Sequence, residues 1–263
     1  GAKIISGDEC NILENAALVI ENGLIHSIST GPCNLPSRDL GGRLLCPMFI
    51  DAHTHLGDTG AKELGLGLSG EKRFRSADSQ AQRFYAQVEP DILIQMMRDS
   101  PREMLRNGII ACGDFCEQGL PGIELLKQAA RGLPIQVRIL GKLKEKPGSP
   151  ALADEARWIL RECDGVGIHQ VESLMEQYLY ELKKQNPDKI FAWQVDETSQ
   201  ATRKSLTLTG KSEARRAADC GADLLVHMVH TPEEDAAYAA NRGISGVACI
   251  RSSAILGEGA RWC

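Results

Sequence analysis

The stretch FIDAHTHLGD, residues 49–58, places two histidines one residue apart at the end of an apolar run. In a β-strand, residues i and i+2 share a face, so His53 and His55 project together beyond the strand's C-terminal end. Two neutral imidazoles converging on one point form half of a metal site.

The rest of the chain supplies the architecture around that strand. Strand-like runs at 49–55, 109–115, 134–140, 165–169, 190–196, 223–229 and 244–249 alternate with helix-like stretches at 91–107, 122–131, 151–163, 172–185, 211–220 and 232–242. Repeated βα units with short connections predict a parallel sheet wrapped by helices. Ser100-Pro101 falls inside the first helical stretch and is expected to kink or split it. Thr231-Pro232-Glu233-Glu234 reads as an N-cap with Pro and acids in the first turn. Residues 1–47 read as a separate small β module, with a hairpin turn at Glu21-Asn22-Gly23. The barrel domain is assigned to 48–263, with seven strands visible where a closed (β/α) barrel has eight, so the chain reads as incomplete at its C-terminus.

The formal net charge of −5 and the absence of like-charge blocks argue against a nucleic-acid surface. They suit a small uncharged or basic substrate. No apolar run reaches the roughly 18 residues of a membrane span, and no signal segment opens the chain, so a cytoplasmic protein without a membrane partner is expected. The nine cysteines are scattered, mostly within or beside apolar runs, and read as reduced, buried thiols. Cys112 and Cys116 lack the second pair that would complete a tetrahedral site and read as packing residues.

Polar residues gather at the C-terminal ends of the strands, where barrels and open α/β sheets place their sites. They are His53 and His55, Asp114, His169, Gln194 and Glu197, and His227 with His230; five of the six histidines belong to this set. His26, alone among apolar neighbours, reads as structural, and so does His169. Asp114 reads as a group that orders backbone amides. The run GLGLSG, residues 65–70, matches the dinucleotide formula GxGxxG. It lies several residues past the strand and lacks the acid about 20 residues later, so a loop over the barrel mouth is the better reading. The EKRFR that follows it either leans on a substrate or is solvated.

These motifs carry a family resemblance. PMFIDAHTHLGD (47–58) resembles the PGFIDxHxH strand of the amidohydrolase superfamily, and LVHMVHTPEED (225–235) and GVACIRSSAILGEG (246–259) resemble its sixth strand and its CPRSNxxLGxG segment. The likeness is greatest to the cytosine deaminase, guanine deaminase and chlorohydrolase branch. It implies a (β/α)8 barrel flanked by a small N-terminal β-sandwich, with one divalent metal, zinc ahead of iron, at the strand ends. By that resemblance His53, His55 and His227 are metal ligands, and Gln194 stands, as a weaker ligand, where the family has a histidine. Glu197 and His227 are the implied catalytic pair, Glu197 moving protons and His227 meeting water or substrate. His230 matches no catalytic position and reads as a cap for the following helix.

The implied function is metal-dependent hydrolysis of a non-peptide C–N bond in an amino-substituted heterocycle, through a metal-activated water. The alternative is a catalytically silent barrel that binds a small molecule or partner without turnover, and Gln194 favours it because an amide oxygen is a poorer donor than imidazole toward borderline metals. A third reading, NAD-linked oxidoreduction, rests on GLGLSG alone. An open seventh strand predicts a homo-oligomer, which a monodisperse monomer in dilute solution would contradict.

Overall fold

A computed structural model describes residues 1–68, 72–73, 79–169 and 175–259. The chain divides into two compact units, Gly1–Phe49 and Ile50–Cys263. In the first, β1 (Ala2–Ser6), β2 (Asn11–Glu21), β3 (Leu24–Thr30) and β4 (Leu44–Leu45) form one sheet in the order β3-β2-β1-β4. Asn22 and Gly23 join β2 to β3 with φ of 52° and 78°. Positive φ at both turn residues matches the twist of the flanking strands, which is why Asn-Gly is favoured there. His26 is exposed on β3, 3.5 Å from the Glu21 carboxylate, and packs in no core.

In the second unit, β5 (Phe49–Thr54), β6 (Ile109–Cys116), β7 (Gln136–Gly141), β8 (Gly165–Ile168), β9 (Ile190–Val195), β10 (Leu224–His227) and β11 (Ser245–Val247) form a seven-stranded sheet in strict sequence order. The recorded pairs from β6 to β11 are parallel. Interleaved are α1 (Gln80–Gln87), α2 (Pro90–Arg106), α3 (Gly119–Ala130), α4 (Leu152–Glu162), α5 (Glu176–Gln185), α6 (Ser199–Thr209), α7 (Glu213–Asp219), α8 (Glu233–Ala240) and α9 (Ile250–Leu256). A flat sheet would hold β5 and β10 about 24 Å apart at ordinary strand spacing. The His53 and His227 rings are 5.4 Å apart, so the sheet is curled into a nearly closed barrel, the fold class the sequence predicts.

Strand alternation sorts the two faces. Trp193, Phe191 and Val195 of β9 point outward into the core shared with the helices, where Ile123, Ile159 and Ala217 are fully buried. Phe115, Leu140, Ala192 and Val226 pack on the inner face. In β8, Gly167 leaves room for this layer, since a Cβ there would stand 2.9 Å from the Phe115 ring.

Several local expectations are corrected. The helix α2 runs unbroken through Pro101, which is buried inside it. Thr231 does not cap α8; its hydroxyl donates to Asp196 (2.8 Å), and α8 has no side-chain cap from His230 either. Of the cysteines described, Cys10, Cys33 and Cys46 are exposed, while Cys112 and Cys116 are buried as packing residues. Gly65 and Gly67 of GLGLSG lie in turns with positive φ, and residues 69 and 70 lie outside the described residues. Among the described residues, no helix is long and apolar enough to cross a membrane.

Candidate active site

At the C-terminal ends of the parallel strands lies a cavity of about 1020 Å3, lined among others by His53, His55, Glu117, His169, Gln194, Glu197 and His227. Phe115, fully buried, packs against three of these histidines, with ring centroids 4.4 Å from His53, 6.0 Å from His55 and 5.5 Å from His169.

Each side chain is placed by its strand. His53 of β5 and His55, one residue past the strand's end, both line the mouth, their ring centroids 4.8 Å apart. Asp114 of β6 accepts hydrogen bonds from the Leu56 amide (2.5 Å) and the Thr54 hydroxyl (3.0 Å), so it ties both residues that flank His55 to β6. His169 continues the inward-facing series of Gly165 and Gly167 and lines the cavity, although its sequence context suggested a structural role. His227 pairs in register with outward-facing Val195. Alternation alone would turn it toward the helices, but φ of 74° at His227 and 53° at Met228 re-aims the chain into the mouth. Non-glycine residues held at positive φ carry strain that the surrounding structure must sustain.

That support comes from Asp196, fully buried just after β9. Its carboxylate accepts from the amides of Glu213 (3.2 Å) and Ala214 (3.0 Å) and from the Thr231 hydroxyl, and its carbonyl accepts from the His230 amide (2.9 Å). The Met228 amide donates to the Val195 carbonyl at 3.1 Å. Together these bonds tie the end of β9 to the end of β10, and so hold Glu197 near His227, whose Nε2 is 3.9 Å from the Glu197 carboxylate. His230 sits aside, its Nε2 3.9 Å from Glu258.

Sequence reading missed Glu117. It follows Cys116 at the end of β6, where Gln118 at φ 69° and Gly119 at φ 60° turn the chain sharply. Its carboxylate is 2.8 Å from His169 Nε2, 3.1 Å from Lys142 Nζ and 3.6 Å from His55 Nδ1. Being the first acid after an apolar strand was the available signal. Burial works against charge on Glu117, but His169, His55 and Lys142 outweigh it and hold the carboxyl far below its usual range. Burial opposes charge on His55 too, yet Glu117, Asp58 and Asp114 lift its pKa to about 9. Burial and the neighbouring histidines push His53 well below 6.5, leaving a neutral ring. The cluster therefore carries its proton on the His55 side.

Gln194, on the inner face of β9, presses its amide head between the paired histidines, with Nε2 3.4 Å from His53 Nε2 and 2.9 Å from His55 Nε2. His53, His55, Gln194 and His227 thus share one cavity, but as one set they do not fit a cation. The amide occupies the point on which the two imidazoles converge. Among the described residues, the nitrogen, sulfur and carboxylate donors gather instead as two groups, His53 with His227 and Cys249, and His55 with Glu117 and His169, each within 4.8 Å.

A model of the amidohydrolase family matches residues 44–259. The chain belongs to the amidohydrolase family. A putative aminohydrolase of Methanothermobacter thermautotrophicus is 32% identical over 250 residues, covering 92% of this chain and 65% of the relative. Among solved structures, guanine deaminase from C. acetobutylicum with bound guanine superposes with a TM-score of 0.75 at 15% identity, over 98% of this chain and 68% of that one. Atrazine chlorohydrolase from Arthrobacter aurescens complexed with zinc gives 0.76 at 18% identity, over 98% and 66%. These identities show the shared fold. The chain spans 65% and 64% of the lengths of the two curated relatives that match 92% of it.

Proposed function

We propose that this chain hydrolyses a non-peptide C–N bond, removing the amino group of a heterocycle of the pyrimidine, purine or triazine class. The observation that carries the reading is Glu197 facing His227 at 3.9 Å across a cavity ringed by histidines at the strand ends of an amidohydrolase-family barrel. The guanine-bound deaminase and the zinc-complexed chlorohydrolase of like fold support the substrate class.

The chain's own groups supply the proton handling. The cavity, about 1020 Å3, has room for a planar heterocycle beside the histidines. Glu197 takes a proton from the attacking water as the C–O bond forms and returns it to the leaving nitrogen as the C–N bond breaks, so that ammonia departs. His227, within reach of the Glu197 carboxylate, donates to the oxygen as it gains charge. Metal dependence is part of the reading: a divalent cation, zinc ahead of iron, would be held by one of the two donor groups at the mouth and would acidify a bound water toward neutrality.

Ammonia release from aminopyrimidines, aminopurines and aminotriazines, measured with zinc-supplemented protein, tests the proposal. Turnover of one class is expected, with Glu197→Gln slower by roughly 10²–10⁴-fold. Ammonia from none of them would leave the silent barrel, which the Gln194 amide seated between His53 and His55 favours.

A further inference from the structure

We propose that the cation of this chain is held by His55 Nδ1, the Glu117 carboxylate and His169 Nε2, on the β6–β8 side of the mouth, with Gln194 orienting His55 rather than ligating. The inference rests on the metal-dependent reading above and relocates its metal.

Four observations converge on it. First, the donors are already assembled, all within 4.8 Å of one another. A cation about 2.0–2.2 Å from each nitrogen and oxygen would set them roughly 3.3 Å apart, a small adjustment from the present 2.8 Å and 3.6 Å contacts. Second, His169 Nδ1 lies 3.2 Å from the Gly167 carbonyl. With Nδ1 donating to that carbonyl, Nε2 keeps its lone pair for an ion. Nε2 is buried and lies 2.8 Å from a Glu117 carboxylate oxygen. A ring nitrogen and a carboxylate oxygen thus already stand near ligating separation.

Third, the outer contacts are those of a ligating set. The Lys142 ammonium sits 3.1 Å from Glu117 Oε2, on the other oxygen from the one that meets His169 and His55. Ligating histidines and carboxylates are usually oriented by such partners. Fourth, Gln194 acquires a role. With its amide rotated so that the oxygen meets His55 Nε2, it accepts that nitrogen's hydrogen and leaves Nδ1 free for the ion. Two imidazoles and one carboxylate also suit zinc better than a set containing a neutral amide.

Metal uptake tests this without any assay of turnover. The intact chain would be dialysed against zinc, its content measured by mass spectrometry, and the cobalt(II) form examined by absorption. One equivalent is expected, falling at least a hundredfold in affinity in Glu117→Gln and in His169→Asn, and unchanged in His227→Asn and Cys249→Ser. Should the first two variants misfold by circular dichroism, the cobalt spectrum of the unaltered chain still decides: no thiolate charge-transfer band is expected, and such a band would place the ion at Cys249 and overturn the inference. Uptake lost in His227→Asn but kept in Glu117→Gln would overturn the location while leaving the proposed function standing. No uptake by the unaltered chain would overturn the metal-dependent reading along with it.

Discussion

Asp114 shows how one carboxyl can hold the backbone around a working residue. Burial pushes its pKa up to about 6 against the Leu56 amide and other favourable contacts that pull it down. A folded pKa above the unfolded 3.8 means that protonation favours the folded chain, so this contribution is complete below pH 3.8 and is lost as pH rises through 6. Asp114→Asn keeps an acceptor for Leu56 but cannot charge. Urea denaturation at pH 4 and pH 7 should show the variant gaining about 2–3 kcal/mol relative to the unaltered chain between the two; a gap that does not move with pH would sink the assignment. Asp114 was legible from the sequence as an acid ending an apolar strand. Glu117 was not, because the turn that swings it inward depends on positive φ at Gln118, a conformation that composition does not announce. His227 was legible by residue type, while the left-handed backbone that aims it was not.

Among the strands, β8 is the least tolerant of an added Cβ. Its sequence is GVGI, and an added Cβ at Gly165 would stand 1.9 Å from the Ile190 carbonyl of β9. Backbone cannot yield as a side chain does, so Gly165→Ala must part the two strands or distort them. A loss of about 3 kcal/mol or more is expected in thermal or denaturant unfolding, and an unchanged midpoint would mean that the β8–β9 register is not as described. The strands were readable because a parallel sheet buried on both faces leaves continuous apolar runs. The helices were less so. α6, SQATRKSLTLT, is polar and threonine-rich and shows little apolar periodicity; it is held by the Thr198 cap at one end and Gly210 in the left-handed region at the other. α9 has seven residues, too few for a periodic signal. β10 ends two residues before its apolar run does, because His227 and Met228 leave the extended region.

At the scale of the whole barrel, curling brings residues from distant parts of the chain to one mouth: His53 and His227 are far apart in sequence yet 5.4 Å apart at their ring centroids. The strand order and the histidines at strand ends were readable because alternation and strand polarity are local properties. The division of donors around Gln194 was not, since it depends on how side chains from β5, β6, β8 and β9 share space. In the proposed reaction, water attacks the carbon that bears nitrogen, and Glu197 carries the proton. The most direct measurement is mass spectrometry of the product formed in ¹⁸O-labelled water. One labelled oxygen at the carbon that lost nitrogen, with an equimolar amount of ammonia and almost none in Glu197→Gln, is the predicted result. Unlabelled product, or label undiminished in Glu197→Gln, would contradict the account.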